Sequence, residues 1–338
     1  MRTNLSKFYL FWTLLFLSGC GGGGGGSSSS SSTYTASPSV FINSSTISNV
    51  VSLGYLRQMF FDGTYLYVVN SDSSDYSGTI GNVYQFNTSG AYVSTISSSM
   101  KWPYAVSVYN SNVFVTGKST VGSLGIGLIN LTSSTTPVVT GLPSVYGVGV
   151  DSTNGYIYIS DVGSTLTNNI VIYDIKTTGT PTSPTSIGSV NVTSSPSGFA
   201  YDSSLGYMYV TRQSATTAGV YKILTTSPFT TSTLVSSSFG SIFNNPTGIA
   251  VRSSYKEVYV ANTGTTAGDT DSSILKITYD SSGNATAVTT FLSGTSTSSM
   301  LCGPVGLAIS GNVLYISNGT CTTNSAYAKS VIKVTLDS

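Results

Sequence analysis

The chain is expected to fold as an all-β, six-bladed β-propeller, on three grounds. A phrase recurs six times between Leu56 and Ile316, most legible as Asn245-Pro-Thr-Gly-Ile-Ala-Val-Arg252 followed by Glu257-Val-Tyr-Val-Ala-Asn262. The period is roughly 50 residues, and a unit of that size cannot bury its apolar face without a neighbour, which is the property of ring-closed or stacked arrays. After residue 20 no segment carries a helical period, while the text around each copy is β-branched or aromatic.

In chain order, a lone strand candidate from Ser39 to Asn43 precedes the repeats. Each repeat opens with a strand anchored in turn by Gln58, Ala105, Gly147, Gly198, Gly248 and Gly306. Glycine there permits close backbone approach. The second strand is anchored by Tyr67, Phe114, Tyr158, Tyr209, Tyr259 and Tyr315, rings large enough to pack between blades. The two anchors are 9 or 11 residues apart, always an odd number, so their facing is kept while the turn between them changes length. Turn pairs such as Asp62-Gly63, Asn154-Gly155 and Gly311-Asn312 supply the positive φ of tight hairpins. Third strands follow, as from Asn169 to Asp174 and from Ile274 to Tyr279. The last repeat ends with its third strand, Ser330 to Asp337, so the strand at Ser39 is predicted to complete the last blade and remove the ring's open edge.

The pattern Pro-x-Gly-x-Ala, then x-Tyr-Val-(Ala/Ser)-(Asn/Asp), is best matched at residues 246 to 262 and 304 to 318 and resembles the NHL repeat family. The segment from Asn154 to Asp161 is also similar to the YVTN-type surface propeller. Only the fourth to sixth copies match closely, and the first two lack the glycine. The resemblance implies a scaffold that binds protein, nucleic acid or small molecules and, in a few lineages, carries metal-dependent enzymes.

Residues 1–19 read as a lipoprotein signal peptide, with Arg2 and Lys7 ahead of an apolar run from Phe8 to Leu17 that is short for a bilayer span. Leu17-Ser18-Gly19-Cys20 resembles the bacterial lipobox and makes Cys20 the lipidated first residue; an ordinary signal peptide with an incidental cysteine is the alternative. Gly21 rather than Asp after the cysteine points to the outer membrane. Residues 20–38 are a glycine- and serine-rich tether, whose tract from Gly21 to Ser32 reaches ~20 Å by square-root scaling. Residues 39–338 are the propeller.

Composition narrows the chemistry. Of 13 basic residues, Arg2 and Lys7 leave with the signal, and the remaining 11 against 12 acidic give a net charge near −1. Nucleic-acid binding needs a basic footprint, so that partner is set aside. The absence of histidine removes His-based triads, His-ligated zinc and the usual neutral-pH proton shuttle. Glu257, the sole glutamate, sits at a turn-to-strand boundary, and Asp62, Asp151 and Asp202 occupy turn positions. Asp269 and Asp271 begin a run that resembles a calcium loop without its glycine and terminal glutamate; solvated loop acids are the alternative. No cofactor is expected, with calcium at these loop acids the one alternative.

Cys302 and Cys321 stand symmetrically about the Gly311-Asn312 turn and are predicted to face one another as a disulfide, in keeping with export. The residues before the first anchor, led by Arg57, Tyr104 and Tyr146 with Trp102 on the entry segment, are predicted to ring the channel mouth. They either hold a peptide, glycan or small anion or simply plug the ring. Asn70, Asp161, Asn262 and Asn318 begin the polar loops after the second strands, as turn caps first and ligand contacts second. The resulting expectation is a lipid-anchored cell-envelope binding or scaffolding propeller with a protein or glycan partner. An Asp-based, calcium-assisted hydrolase or lyase and a weak adhesin are the alternatives, and oligomeric state is left open.

Overall fold

A computed structural model describes residues 36–47, 52–71, 80–119, 124–130, 137–140, 142, 144–162, 168–176, 184–192, 195–214, 218–235, 242–264, 271–294, 299–319, 321 and 325–337. The expected signal peptide, Cys20, the tether up to residue 35, and Asp269 lie outside the described residues. Residues 36–338 form a compact unit.

The strands are β1 (Ser39–Ile42), β2 (Tyr55–Phe61), β3 (Leu66–Ser71), β4 (Ile80–Phe86), β5 (Tyr92–Tyr109), β6 (Asn112–Ser119), β7 (Leu124–Asn130) and β8 (Pro137–Thr140). The third repeat supplies β9 (Val145–Asp151), β10 (Tyr156–Val162), β11 (Asn168–Asp174) and β12 (Thr185–Asn191). The fourth supplies β13 (Ser195–Asp202), β14 (Tyr207–Gln213), β15 (Gly219–Leu224) and β16 (Thr231–Val235). The fifth supplies β17 (Pro246–Arg252), β18 (Glu257–Asn262), β19 (Ser273–Tyr279) and β20 (Ala285–Ser293), and the sixth β21 (Pro304–Ser310), β22 (Val313–Asn318) and β23 (Val331–Thr335).

The fold is an all-β propeller, and the count of six separate blades is corrected to five sheets, four of four strands and one of seven. The first two repeats share the seven-stranded sheet because β5 runs unbroken for 18 residues. Its first half pairs with β4 and its second half with β6, so one strand ends one repeat and opens the next. The first strands β2, β5, β9, β13, β17 and β21 touch in succession, and β21 returns to β2. At the seam β1 pairs antiparallel with β23, Ser39 opposite Lys333, which covers the edge of the last sheet.

The small anchors set the spacing of the ring. A Cβ on Gly147 would lie 1.7 Å from the Ser197 carbonyl oxygen, and one on Gly306 would lie 2.5 Å from that of Arg57. The register between first and second strands slips at this column, for instance between Pro246 and Ile249, and frees main-chain N–H groups there. Hydroxyls of the second strands satisfy them. Gly198 N donates to Thr211 Oγ1 (2.7 Å), which donates on to the Thr247 carbonyl (2.6 Å); Ser317 relays in the same way from Gly306 N (2.8 Å) to the Arg57 carbonyl (2.6 Å). Each relay joins one repeat to the next and contributes about 1 kcal/mol. The aromatic anchors fill the wedges between sheets, with Tyr158, Tyr209 and Tyr259 wholly buried, each on the order of 2–3 kcal/mol of burial.

The predicted disulfide joins Cys302 to Cys321 with Cα atoms 5.2 Å apart. The hairpin register runs from Ser310–Val313 to Gly306–Ser317 and slips by one before Pro304–Asn318, so the bridge lies beyond the strand ends rather than within the ladder. Glu257 is consumed structurally: buried, it accepts from Arg252 (3.2 Å) and Tyr259 Oη (2.9 Å) and pairs with Lys276.

Candidate functional site

Equivalent ends of the first strands gather at one end of the ring, where the residues before the anchors are Arg57, Tyr104, Tyr146, Ser197, Thr247 and Val305. The first three form one cluster with Trp102. The Arg57 guanidinium carbon lies 4.2 Å from the Tyr55 ring centre, 4.7 Å from that of Trp102 and 5.2 Å from that of Tyr104. Edge-on ring contacts join Trp102 to Tyr104 (5.9 Å), Trp102 to Tyr146 (6.2 Å) and Tyr104 to Tyr146 (4.9 Å). Cations over aromatic faces and edge-to-face rings are both attractive arrangements, so the cluster is rigid before any ligand arrives.

Trp102 reaches this cluster through an unfavourable backbone. It has φ of 67°, where β5 shifts register between Lys101 and Pro103 on passing from one repeat to the next. A bulky residue in the left-handed region costs on the order of 1–3 kcal/mol, and such strain gathers at functional positions. Packing against Arg57, Tyr104 and Tyr146 offsets it.

Burial divides the cluster. Arg57 and Tyr104 are almost fully enclosed, whereas Tyr55, Trp102 and Tyr146 are half-buried and offer surface. Tyr104 Oη comes within 3.5 Å of Ser197 Oγ, reaching past the third repeat and across the end of the channel. Burial raises the Tyr104 hydroxyl's pKa, with Arg57 and Ser197 pulling it part-way back, so it stays a neutral phenol at neutral pH. Tyr104 is thus buried against Ser197, while Tyr55, Trp102 and Tyr146 form a surface around the arginine. Tyr55 was not among the sequence candidates, although its period-two spacing from Arg57 on β2 was a signal that both lean to one face.

The loop-start residues are not part of this cluster. Asn318 Oδ1 accepts from Cys302 N (3.1 Å), and its Nδ2 donates to the Met300 (2.8 Å) and Tyr327 (3.2 Å) carbonyls. Asn262 holds Asn244 N (3.2 Å) and the Ile242 carbonyl (2.8 Å), and Asn70 holds Gly54 N (2.6 Å). All three are buried staples that tie the segment entering the first strand to the end of the second, which engages their amides with the main chain. Asp161 stands at the same position in the third repeat, half-buried, with Oδ1 enclosed and without a hydrogen-bond partner. Burial raises its carboxyl pKa, partly offset by the Ser144 N–H. Asp62, Asp151 and Asp202 form turns as expected from their positions; Asp151, for example, accepts from Thr153 N and Asn154 N.

Asp271 accepts a hydrogen bond from Asn244 Nδ2 and lies against Gly264. Among the described residues no group of three His, Cys, Asp or Glu could hold a metal ion. No described helix is long and apolar enough to cross a membrane.

No protein-family model matches the chain, and no curated protein matches it by sequence. Solved structures do match its fold. An oxidoreductase of Thermus thermophilus, named as a glucose dehydrogenase, superposes with TM-score 0.60 at 12% identity over 88% of this chain and 99% of its own. The PQQ-bound aldose sugar dehydrogenase of Streptomyces coelicolor gives 0.55 at 11% identity, covering 89% and 98%. A calcium-binding regucalcin from Agrobacterium tumefaciens gives 0.54 at 12% identity, covering 85% and 93%. At these identities the likeness is one of fold, a β-propeller, and the NHL resemblance is not extended by it.

Proposed function

We propose that the protein is an exported, lipid-anchored binding propeller that holds a glycan at the Arg57 mouth, without catalysis. The observation that carries this is the guanidinium set among Tyr55, Trp102 and Tyr104, with the half-buried Trp102 and Tyr146 alongside it. Sugar rings present C–H faces that pack on aromatic surfaces and hydroxyls or carboxylates that accept from arginine. Three features support the non-enzymatic side: the chain has no histidine, Glu257 is bound into an ion network, and Tyr104 is held neutral. Two of the fold's neighbours, an aldose sugar dehydrogenase and a glucose dehydrogenase, act on sugars by name, which is compatible with a sugar ligand on this scaffold and equally with an enzyme. The lipobox-like Cys20 and the tether that follows it support presentation at the outer membrane.

The test is binding of the protein to an array of neutral and uronic-acid glycans, with Trp102→Ala and Tyr146→Ala beside the wild type. The expected result is a chelator-insensitive signal lost at least tenfold in both variants. Calcium-dependent turnover of an array sugar, or binding untouched by either variant, would reject the proposal.

A further inference from the structure

Along the inner strands, the central channel holds a cavity of about 260 Å³. Its wall begins at Gln58, Ala105 and Ser197 and ends at Phe61, Tyr201 and Ile309, on the face opposite the Arg57 cluster. No Asp, Glu, Lys or Arg lines it, so a charged occupant would lose hydration with nothing to replace it. The wall has mixed polarity. Val106, Val150 and Ile249 line it together with Ser107, Ser152 and Ser197, and five of the six first strands, all but β5, are sheet edges.

One side chain in this wall departs from the repeat. At the anchor column the other five positions are Ala105, Gly147, Gly198, Gly248 and Gly306, whereas Gln58 carries a carboxamide. Gln58 is 6% exposed, and its Nε2 is buried without a hydrogen-bond partner in the protein. An unmade buried amide bond destabilises a fold, and the five equivalent positions show that the column's packing does not require a polar side chain. The terminal torsion of glutamine is broad, so the carboxamide can turn to present its N–H to the cavity.

We propose that this cavity is a second binding site, for a small uncharged molecule of mixed polarity whose carbonyl or ether oxygen accepts from the Gln58 amide. The site is independent of the glycan reading, because its wall runs along the first strands away from the Arg57 cluster and includes none of that cluster's residues.

The experiment is an NMR titration of the full chain with cyclohexanone, following the methyl groups of Val148, Ile249 and Leu307, all of which line the cavity. Cyclohexane, which lacks an acceptor, and cyclohexanecarboxylate, which is charged, serve as controls. Cyclohexanone should give saturable shifts, with both controls and Gln58→Leu at least tenfold weaker. Ile309→Trp, which narrows the rim without touching Gln58, should abolish the shifts. Gln58→Leu should melt no lower than the wild type. Absence of saturable shifts, equal binding by Gln58→Leu, binding that survives Ile309→Trp, or failure of Gln58→Leu to fold would each overturn the proposal; the last would make the amide a structural group.

Discussion

The last three repeats and the first two are built from one pattern and use it differently. In the fourth to sixth repeats the anchors Gly198, Gly248 and Gly306 press against neighbouring carbonyls, and Asn262 and Asn318 staple the chain entry. Residues there are spent on closing the ring. In the first two repeats Gln58 and Ala105 replace glycine, β5 merges two units into one sheet, and Arg57, Trp102 and Tyr104 collect at the mouth. A column that demands glycine leaves no room for a functional side chain. At the anchor column itself, the one large polar side chain is Gln58, where the glycine is missing.

The strongest way to break this contrast is to give a side chain to a glycine anchor, most sharply the third repeat's Gly147. Gly147→Val places Cβ 1.7 Å from a carbonyl oxygen that belongs to backbone and cannot yield. A loss above about 4 kcal/mol, seen as an unfolded or insoluble product by circular dichroism, is expected. Ala105→Gly, which makes the second repeat regular, should change stability by no more than about 1 kcal/mol. Comparable effects from the two would mean that the column is not what spaces the ring.

Opening the disulfide tests the seam next. Replacing Cys302 and Cys321, separated by 19 positions, with serine should cost about 3 kcal/mol in denaturant, and reduction of the wild type should reproduce that drop. The asparagine staples then grade the two halves against each other. Asn318→Ala, which loses bonds to Cys302, Met300 and Tyr327, is expected to cost about 2 kcal/mol, with a smaller loss for Asn70→Ala.

The smallest effect comes from Asp161, the third repeat's departure from the staple. Burial raises its carboxyl above the reference value of 3.8, so the folded state loses stability as pH rises from there through the folded pKa, and the penalty persists above it. Asp161→Asn restores the staple chemistry and should stabilise at pH 7 by under about 1 kcal/mol, the partial exposure of the site limiting the gain. The gain should vanish below pH 4 in urea melts. A destabilised variant at pH 7 would instead mark the carboxylate as a group retained for binding.

Much of the ring was legible from spacing alone. Odd separations kept small and aromatic anchors in phase, and in the structure each aromatic stands opposite the residue two beyond its small anchor, as with Tyr259 and Ala250 or Tyr315 and Ala308. The Arg57, Tyr104 and Tyr146 grouping was legible because equivalent positions of successive repeats must be neighbours. The merging of two repeats into one sheet was not, since nothing in the text from Tyr92 to Tyr109 announces that a kinked strand continues through Trp102 and Pro103. The asparagine roles were half legible. Their position marked them as caps, but the partners in the entry segment lie 16 to 20 residues back and depend on how each chain entry folds against the sheet.

Local pattern therefore determined the β class, the repeat, the closing strand, the paired cysteines and the residues that share the channel mouth, because each follows from period and spacing along the chain. Tertiary structure alone decided that Tyr104 is buried against Ser197, that Trp102 is held at positive φ beside Arg57, and that Gln58 lies in the wall of the channel cavity. Those outcomes depend on how far apart neighbouring sheets come to rest. That distance is set by packing summed around the whole ring, which no single stretch of sequence encodes.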